Sequence, residues 1–181
     1  MTHVVGLDPS LTSFGVAVVG GGSPALVARV KSTGRRGDDV VARQRRIQDL
    51  GTSVLEYVPA HALVVMEGPA YSSNSSGMWD RAGLWHDVLR RLISRGHEVV
   101  VCPPTSRAMY ATGKGNAGKD AVLAAVVRRY PDVDVAGNDE ADALVMAAMG
   151  ARLLDAPLED SLPQSHLRAL SGLELPDTMD P

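Results

Sequence analysis

The stretch VVGLDPSLTSFGVAVVG, residues 4–20, holds two apolar runs separated by a polar turn. The first run, Val4–Leu7, ends at Asp8, and the second, Phe14–Val19, ends at a glycine-rich turn. Short apolar runs bounded by turn residues are typical of β-strands. A third run, Ala25–Val30, follows the turn and can pair back onto the second. This part of the chain therefore predicts a meander of three strands.

Beyond the meander, helical and strand patterns alternate along the chain. Apolar residues that recur on one face predict amphipathic helices, and these are expected over residues 38–57, 78–95, 119–130 and 139–154. Continuous short apolar runs predict buried strands, and two more are expected over residues 62–66 and 98–101. The pattern predicts an α/β protein with a mixed five-stranded sheet and helices on both of its faces.

The composition is that of an ordinary globular protein. Of 181 residues, 45% are hydrophobic and 22% charged, which excludes a disordered or collagen-like chain. No apolar run approaches the roughly 20 residues of a membrane span, and the N-terminus does not resemble a signal peptide. Cys102 is the only cysteine, so the chain forms no internal disulfide and no cysteine zinc site. We expect a cytoplasmic protein that does not bind membranes.

Charge is distributed unevenly between two predicted regions. Residues 155–181 carry six acidic side chains and one basic one, whereas the overall net charge is only −3. We therefore predict a domain over residues 1–154 with a net charge of +2, followed by an acidic, proline-containing tail that is mostly mobile. One turn of helix is expected near His166–Leu170. The tail is either a spacer or an acidic segment that covers a basic face of the domain.

Four acidic residues are expected to share one site. Asp8 and Glu67 directly follow the first and fourth predicted strands, and sites in α/β sheets gather at the carboxyl ends of strands. Asp139 and Asp142 are three residues apart and so share one helix face. Small alanines on this helix would let it lie close to the sheet. Alone, Asp8 could be a turn residue and Asp139 a helix-start acid.

Carboxylates gathered in one cleft repel one another, and a divalent cation removes the conflict. Mg²⁺ prefers carboxylate oxygens and water, and usually takes one or two carboxylates per ion. Four acids therefore fit two Mg²⁺ ions roughly 3.5–4 Å apart, one activating water and one stabilising the leaving oxygen of a displacement at phosphorus.

Several motifs together resemble those of RuvC-type Holliday junction resolvases. Val5–Ser10 and Thr12–Ala17 resemble the opening strand and turn, and Val64–Glu67 resembles the second acidic motif. Asp139–Leu144 resembles the closing D-x-x-D-A-L helix. Residues 104–107 and 112–119 are similar to the basic stretch before the family's third helix. The order and spacing cover residues 4–154 and look like those of a phage-type or divergent member.

The resemblance implies an RNase H-like fold and a homodimer that makes paired, Mg²⁺-dependent nicks across four-way DNA junctions in recombination and repair. Mn²⁺ is an alternative ion, and the expected ends are 5′-phosphate and 3′-hydroxyl. The implied metal ligands and catalytic carboxylates are Asp8, Glu67, Asp139 and Asp142. Lys119 aligns with a basic residue that the family places near the scissile phosphate, and it is the fifth implied catalytic residue. Arg107 stands where the family usually has lysine, which keeps a phosphate contact but puts a proton-transfer role in doubt.

A DNA-facing surface is expected around the site. Hydroxyl, amide and cationic side chains can hold phosphates without reading bases, and the expected contacts are Arg35, Arg36, Tyr71, Ser72, Ser73, Asn74, Arg107, Lys114 and Lys119. Ala70 departs from the family, which often has an aromatic residue there. Either Tyr71 substitutes for it or junction selectivity is relaxed. Trp79 and Trp85 are expected in the core or in a dimer interface rather than stacked on bases.

Three other functions remain open from the sequence. The same fold could serve a nuclease for flaps, forks or RNA–DNA hybrids. Asp8-Pro9-Ser10 with Thr12 and Gly15 also resembles the phosphate hairpin of actin-like ATPases, which need a second lobe. A non-catalytic junction-binding protein is the third alternative. Residues 113–118 also spell G-x-G-x-x-G, but no predicted strand leads into them, which disfavours a dinucleotide site.

Overall fold

The computed structural model describes residues 2–22, 25–69 and 77–176. The strands are β1 (His3–Asp8), β2 (Ser13–Gly20), β3 (Leu26–Lys31), β4 (Leu63–Glu67) and β5 (Glu98–Cys102). The helices are α1 (Val40–Leu55), α2 (Met78–Ser94), α3 (Pro104–Thr112), α4 (Lys119–Arg129), α5 (Asn138–Leu153) and α6 (Gln164–Leu167), and a 3-10 turn follows at Arg168–Leu170. Within these ranges, no helix combines the length and apolar character that a membrane span requires.

The sheet has the strand order β3-β2-β1-β4-β5. β1, β2 and β3 pair antiparallel as the predicted meander, whereas β4 and β5 run parallel to β1. The prediction of a mixed five-stranded sheet is confirmed. β1, β4 and β5 all finish at one end of the sheet, with Asp8, Glu67 and Cys102 as their last residues. We call this end the carboxyl end.

Helices cover both faces of the sheet, as the sequence predicts. α1 and α2 pack on one face over a core that includes Leu7, Phe14 and Met66. α5 lies on the other face, with α3 and α4 packed against it. Because strand side chains alternate between the faces, each of the central strands contributes to both cores.

Four helices begin at the carboxyl end. α3 starts directly after β5, and α5 starts against the end of β1. α1 follows β3, which ends at the same end of the sheet as β1, and Arg46 in its second turn donates a hydrogen bond to the carbonyl oxygen of Leu11 at 2.6 Å. The first turns of α1 and α2 are joined by two hydrogen bonds from Arg43 to Asp80, of 2.6 and 2.8 Å. The first-turn backbone N–H groups of these helices, which have no acceptor within their own helix, therefore gather at this end.

Glycines on the sheet allow α5 to lie unusually close to it. All residues of α5 from 140 to 151 are buried, so the helix is surrounded on every side. A Cβ atom on Gly6 of β1 would overlap the backbone carbonyl of Ala143, and one on Gly15 of β2 would overlap the carbonyl of Asp139. Since Gly15 pairs with Asp8 in the sheet, this close approach also sets the start of α5 beside Asp8.

A Gly6→Ala substitution is expected to destabilise the protein by about 3 kcal/mol, because the added methyl group meets helix backbone rather than a movable side chain. Urea denaturation measures this effect. Gly172→Ala is the matched control, since a Cβ there meets no atom within 4 Å, and its stability is expected to stay within about 0.5 kcal/mol of the wild type. Equal stability of the two variants would contradict the close packing of α5.

The described part of the C-terminal segment, residues 155–176, packs against the rest of the chain. Ala169 and Leu173 are buried in the core beneath α3, α4 and α5. α6 and the 3-10 turn lie where the sequence predicts one turn of helix. These contacts differ from the loose tail that the sequence predicts, because an acidic, proline-containing composition does not reveal buried anchor residues. The domain boundary at residue 154 stays a prediction.

Glu159 is the polar anchor of this segment. Its carboxylate accepts hydrogen bonds from the hydroxyl groups of Tyr110, at 3.0–3.1 Å, and Tyr130. It also accepts one from Arg152 of α5 at 2.9 Å, and Arg152 in turn donates to the Tyr110 hydroxyl. Burial raises the pKa of both tyrosines, so they remain neutral donors. The segment is thereby fastened to α3, α4 and α5 through one buried acid.

α3 is a helix that the apolar pattern of the sequence does not predict. Two consecutive prolines, Pro103 and Pro104, are typical of a strand end, yet Pro104 is the first residue of a helix, where proline is tolerated. Gly113 follows the helix in the left-handed conformation, with a φ of 79°. Proline at the start and glycine after the end are the signals that could have predicted it.

Candidate active site

Asp8, Glu67, Asp139 and Asp142 converge at the carboxyl end, and we call them the carboxylate cluster. β1 and β4 are parallel neighbours, so Asp8 and Glu67 lie side by side, and their carboxyl groups share a hydrogen bond. The charge of Asp139 also acts on Asp8. Asp142 is joined to Glu67 through Arg107, which contacts both. The second residue of the D-x-x-D motif, Glu140, instead pairs with Arg29 at 3.0 Å.

Arg107 lies inside the cluster. It belongs to the first turn of α3 and is only 8% exposed. Its Nε and Nη2 atoms both lie 3.0 Å from Oε1 of Glu67. Its Nη1 contacts Oδ1 of Asp142, which is 1% exposed. One guanidinium thus bridges two acids that come from different elements of the fold.

The cluster changes the proton affinity of its members. Burial raises the pKa of Asp8 well above its ordinary range, and the hydrogen bond with Glu67 and the charges of Glu67 and Asp139 raise it further. Arg107 opposes this effect in part. At the end of β5, burial and the charge of Glu67 raise the pKa of Cys102 to about 12, so its thiol stays protonated. Without a further cation, Asp8 therefore releases its proton at a higher pH than an ordinary aspartate does.

Glu67 is positioned by its backbone as well as by Arg107. Nε1 of Trp85, on α2, donates a hydrogen bond to the Glu67 carbonyl oxygen at 2.8 Å. The next residue, Gly68, donates its N–H to the carbonyl oxygen of Cys102 at 2.9 Å. Trp85 therefore links α2 to the site, a role that helical spacing in the sequence does not signal.

The side chains of the carboxylate cluster are suitable ligands for a divalent cation, although Arg107 contacts two of them, Glu67 and Asp142. Carboxylate oxygens are the ligands that Mg²⁺ prefers. Oδ1 of Asp142 and Nη1 of Arg107 touch as an ion pair, yet neither has a hydrogen bond of normal geometry. Over residues 2–22, 25–69 and 77–176, however, no three acidic, histidine or cysteine side chains are arranged around one common ion position. The donors are thus present while Arg107 occupies the space between two of them.

Two solved structures of Thermus thermophilus RuvC share this architecture. One is a structure of RuvC, with a TM-score of 0.61 and 21% identity, covering 86% of this chain and 98% of the RuvC chain. The other is RuvC in complex with a Holliday junction substrate, with a TM-score of 0.61 and 23% identity, covering 87% of this chain and 99% of that chain. The chain has the fold of RuvC. No family model matches the sequence, and no curated protein matches it significantly.

The RuvC fold confirms the architecture that the sequence resemblance implies, an RNase H-like sheet with helices on both faces. This fold does not favour the two alternatives that need other architectures, a dinucleotide-binding site and an actin-like ATPase. The G-x-G-x-x-G run at residues 113–118 follows helix α3 rather than a strand, unlike a dinucleotide-binding turn. The described residues form one sheet with its helices, without the second lobe that an actin-like ATPase requires.

The predicted DNA contacts occupy different parts of the RuvC fold. Arg35 and Arg36 are exposed between β3 and α1. Lys119 is exposed at the first residue of α4, and no described residue forms an ion pair or hydrogen bond with its ammonium group. Contact between Lys119 and the carboxylate cluster is therefore absent from the described structure, and its catalytic role stays a prediction. Tyr71, Ser72, Ser73 and Asn74 lie outside the described residues, as does Ala70.

Lys114 lies on a basic groove beside α4. The groove has a volume of about 640 Å³, and Lys114, Arg128, Arg129 and His166 line it around several alanines. Arg129 also donates hydrogen bonds to the carbonyl oxygens of Tyr110 and Ala111, at 3.0 and 2.7 Å. The positive charge that the sequence assigns to the loop before α4 thus continues along this helix.

Proposed function

We propose that this chain is a RuvC-like, structure-selective DNA endonuclease that resolves four-way junctions by metal-dependent hydrolysis. The observation that carries the proposal is the carboxylate cluster at the carboxyl end of a RuvC fold, in the order that the sequence motifs predict. The similar RuvC that binds a Holliday junction substrate supports branched DNA as the substrate. The proposed products carry 5′-phosphate and 3′-hydroxyl ends.

In the proposed mechanism, Asp8, Glu67, Asp139 and Asp142 hold two Mg²⁺ ions, for which Mn²⁺ is an alternative. When bound, these ions supply an activated water and charge stabilisation for the leaving oxygen. The side chains contribute rigidity, because Asp8 and Glu67 end neighbouring strands and α5 is fixed against the sheet. Trp85 holds the backbone of Glu67 in place. No side chain of the cluster needs to attack phosphorus itself.

DNA binding is proposed to rely on the phosphate backbone. Arg35, Arg36 and Lys119 are exposed cations, and Lys114 adds the basic groove. Lysine and arginine contacts to phosphate position DNA without specifying its sequence. Such contacts make affinity fall steeply with salt concentration. Selectivity for a junction then depends on how two sites are held relative to one another.

A homodimer is proposed because paired nicks need two sites. Exposed apolar side chains at the starts of α1 and α2 support this assembly. Trp79 is 79% exposed and Val40 is 74% exposed, and the Arg43–Asp80 ion pair lies between their helices. The exposure of Trp79 rules out the core, one of the two positions expected for it. A second copy is the partner that the paired nicks require.

The proposed function predicts paired, symmetric cuts in a labelled synthetic four-way junction when Mg²⁺ is present. Flap, fork, RNA–DNA hybrid and linear duplex substrates of equal length serve as comparisons. We expect the junction to be cut at least tenfold faster than any of them, because only a junction presents two strands to two linked sites. Gel analysis of end-labelled strands measures both the rates and the end groups.

Each alternative outcome identifies a different function. Faster cutting of flaps, forks or hybrids would keep the metal site but contradict junction selectivity. Tight junction binding without any cut, in Mg²⁺ or Mn²⁺, would indicate the non-catalytic junction binder. Cutting that persists at full rate in excess chelator would contradict the metal-dependent mechanism itself.

A further inference from the structure

We propose that the guanidinium of Arg107 is a resident counter-cation of the carboxylate cluster, which a divalent ion must displace from Glu67 and Asp142 before it binds there. The inference rests on the proposed function, since it takes the cluster to be a metal site. It adds a competition between a side chain of the protein and the metal, with consequences for metal affinity and for DNA contact.

The contacts of Arg107 show why the two cations compete. Nε and Nη2 both approach the same oxygen of Glu67, at 3.0 Å, and Nη1 contacts Oδ1 of Asp142. These are oxygens that a metal ion would need as ligands. A guanidinium and a divalent ion cannot both occupy the space between the two carboxylates, because each places positive charge against the same atoms.

Burial explains why a cation must be there when no metal is bound. The side chain of Asp142 is 2% exposed and that of Arg107 is 10% exposed, so neither charge is well hydrated. A buried carboxylate that loses its partner is strongly destabilising. Helix stability does not account for this position, because a cation in the first turn of α3 faces the positive end of the helix dipole. The carboxylates are the feature that favours Arg107 here.

Displacement would make Arg107 available to the substrate. Its side chain starts at the carboxyl end of the sheet, where the scissile phosphate must lie for the cluster to act on it. A planar guanidinium fork matches phosphate oxygens in pairs. Metal binding would therefore release a phosphate-binding group at the moment when the site becomes competent. Arg107 would then contact DNA phosphate only after the metal has bound, so that metal binding and DNA contact are coupled through this one residue.

Metal titration of the DNA-free protein tests this competition. Arg107→Met keeps the length of the side chain but removes its charge, and we expect it to bind Mn²⁺ at least tenfold more tightly than the wild type by isothermal titration calorimetry. Arg107→Lys keeps a charge without the fork and is expected to give an intermediate affinity. A gain in affinity distinguishes competition from structural damage, which would lower it.

Arg29→Met is the matched control. Arg29 also pairs with a buried acid of α5, Glu140, at 3.0 Å, but it does not contact the cluster. Its metal affinity is expected to remain within twofold of the wild type. In chelator, Arg107→Met is expected to unfold at a lower temperature than the wild type. Mn²⁺ is expected to raise the thermal midpoint of the variant by more than it raises that of the wild type.

Unchanged or weaker Mn²⁺ binding by Arg107→Met would overturn the inference. If that variant does not fold in chelator, Arg107→Lys decides the question, since affinity equal to or below that of the wild type overturns it as well. Failure of the proposed function looks different. A wild-type protein that cuts no branched DNA, with Arg107→Met still gaining metal affinity, contradicts nuclease activity and leaves the competition standing.

Discussion

An Asp8→Asn variant is expected to lose junction cleavage by about 10³-fold and yet to be more stable than the wild type in chelator. Loss of a metal ligand removes several kcal/mol of transition-state stabilisation, and about 4 kcal/mol corresponds to this factor in rate. A substitution that damages the fold would lower activity and stability together. A loss of activity together with a gain in stability would therefore identify Asp8 as a functional residue that lowers the stability of the fold.

The stability gain follows from the electrostatic environment of Asp8. Burial, the neighbouring Glu67 and the charge of Asp139 raise its pKa in the folded protein. The contribution of Asp8 to the free energy of unfolding is fully present below its ordinary pKa of about 4, and it is lost as the pH rises through the raised pKa. Asparagine stays neutral at every pH. The difference between variant and wild type is thus expected to be small at pH 4 and to grow toward neutral pH.

Thermal unfolding in chelator at several pH values measures this difference, and single-turnover cleavage with Mg²⁺ measures the activity. A rise of a few degrees in the midpoint at pH 7 is expected. Asp132→Asn is the control, because Asp132 is exposed in the link between α4 and α5 and should change neither quantity. A destabilised Asp8→Asn at neutral pH would contradict the repulsion described for the cluster.

Of the substitutions proposed here, Glu159→Ala is expected to lower the free energy of unfolding most, by about 3–5 kcal/mol. The substitution leaves the Arg152 guanidinium and the hydroxyl groups of Tyr110 and Tyr130 without their shared acceptor. Buried donors without a partner pay the full cost of lost hydration. The thermal midpoint is expected to fall by about 10 °C.

Asp160→Ala provides the comparison for this prediction. Asp160 is the next residue and is exposed, so the change removes the same charge from the same segment without touching a buried partner. Its stability is expected to stay within about 0.5 kcal/mol of the wild type. If both variants were equally stable, residues 155–176 would indeed be a loose tail and the anchor at Glu159 would be without consequence.

Much of the fold could be predicted from local sequence patterns. The apolar runs of residues 4–20 and 62–66 predict β1, β2 and β4 because strand burial requires such runs. The order of the acidic motifs predicts that Asp8, Glu67, Asp139 and Asp142 meet, since strand ends and helix starts gather at one end of the sheet. The fold and the convergence of these acids therefore follow from short-range signals and topology.

The rest depends on long-range packing that local patterns do not encode. α3 has only nine residues, and the pair of prolines at its start, Pro103 before it and Pro104 as its first residue, looks like the end of a strand. Without α3, nothing in the sequence brings the Arg107 guanidinium between Glu67 and Asp142, so the sequence alone predicts only a phosphate contact for it. For the same reason, nothing in the sequence distinguishes Glu159 from the other acidic residues of the C-terminal segment. Its tyrosine partners are 49 and 29 residues away in the chain.

The four helix starts at the carboxyl end change the electrostatic potential that an approaching polyanion meets there. The net charge of −3 suggests that DNA is repelled at long range. Each helix start, however, contributes roughly half a positive elementary charge that belongs to the peptide backbone. No side-chain substitution removes it. An ion-exchange column would report an acidic protein, whereas at this one end the backbone charge offsets part of the repulsion between the carboxylate cluster and an approaching polyanion.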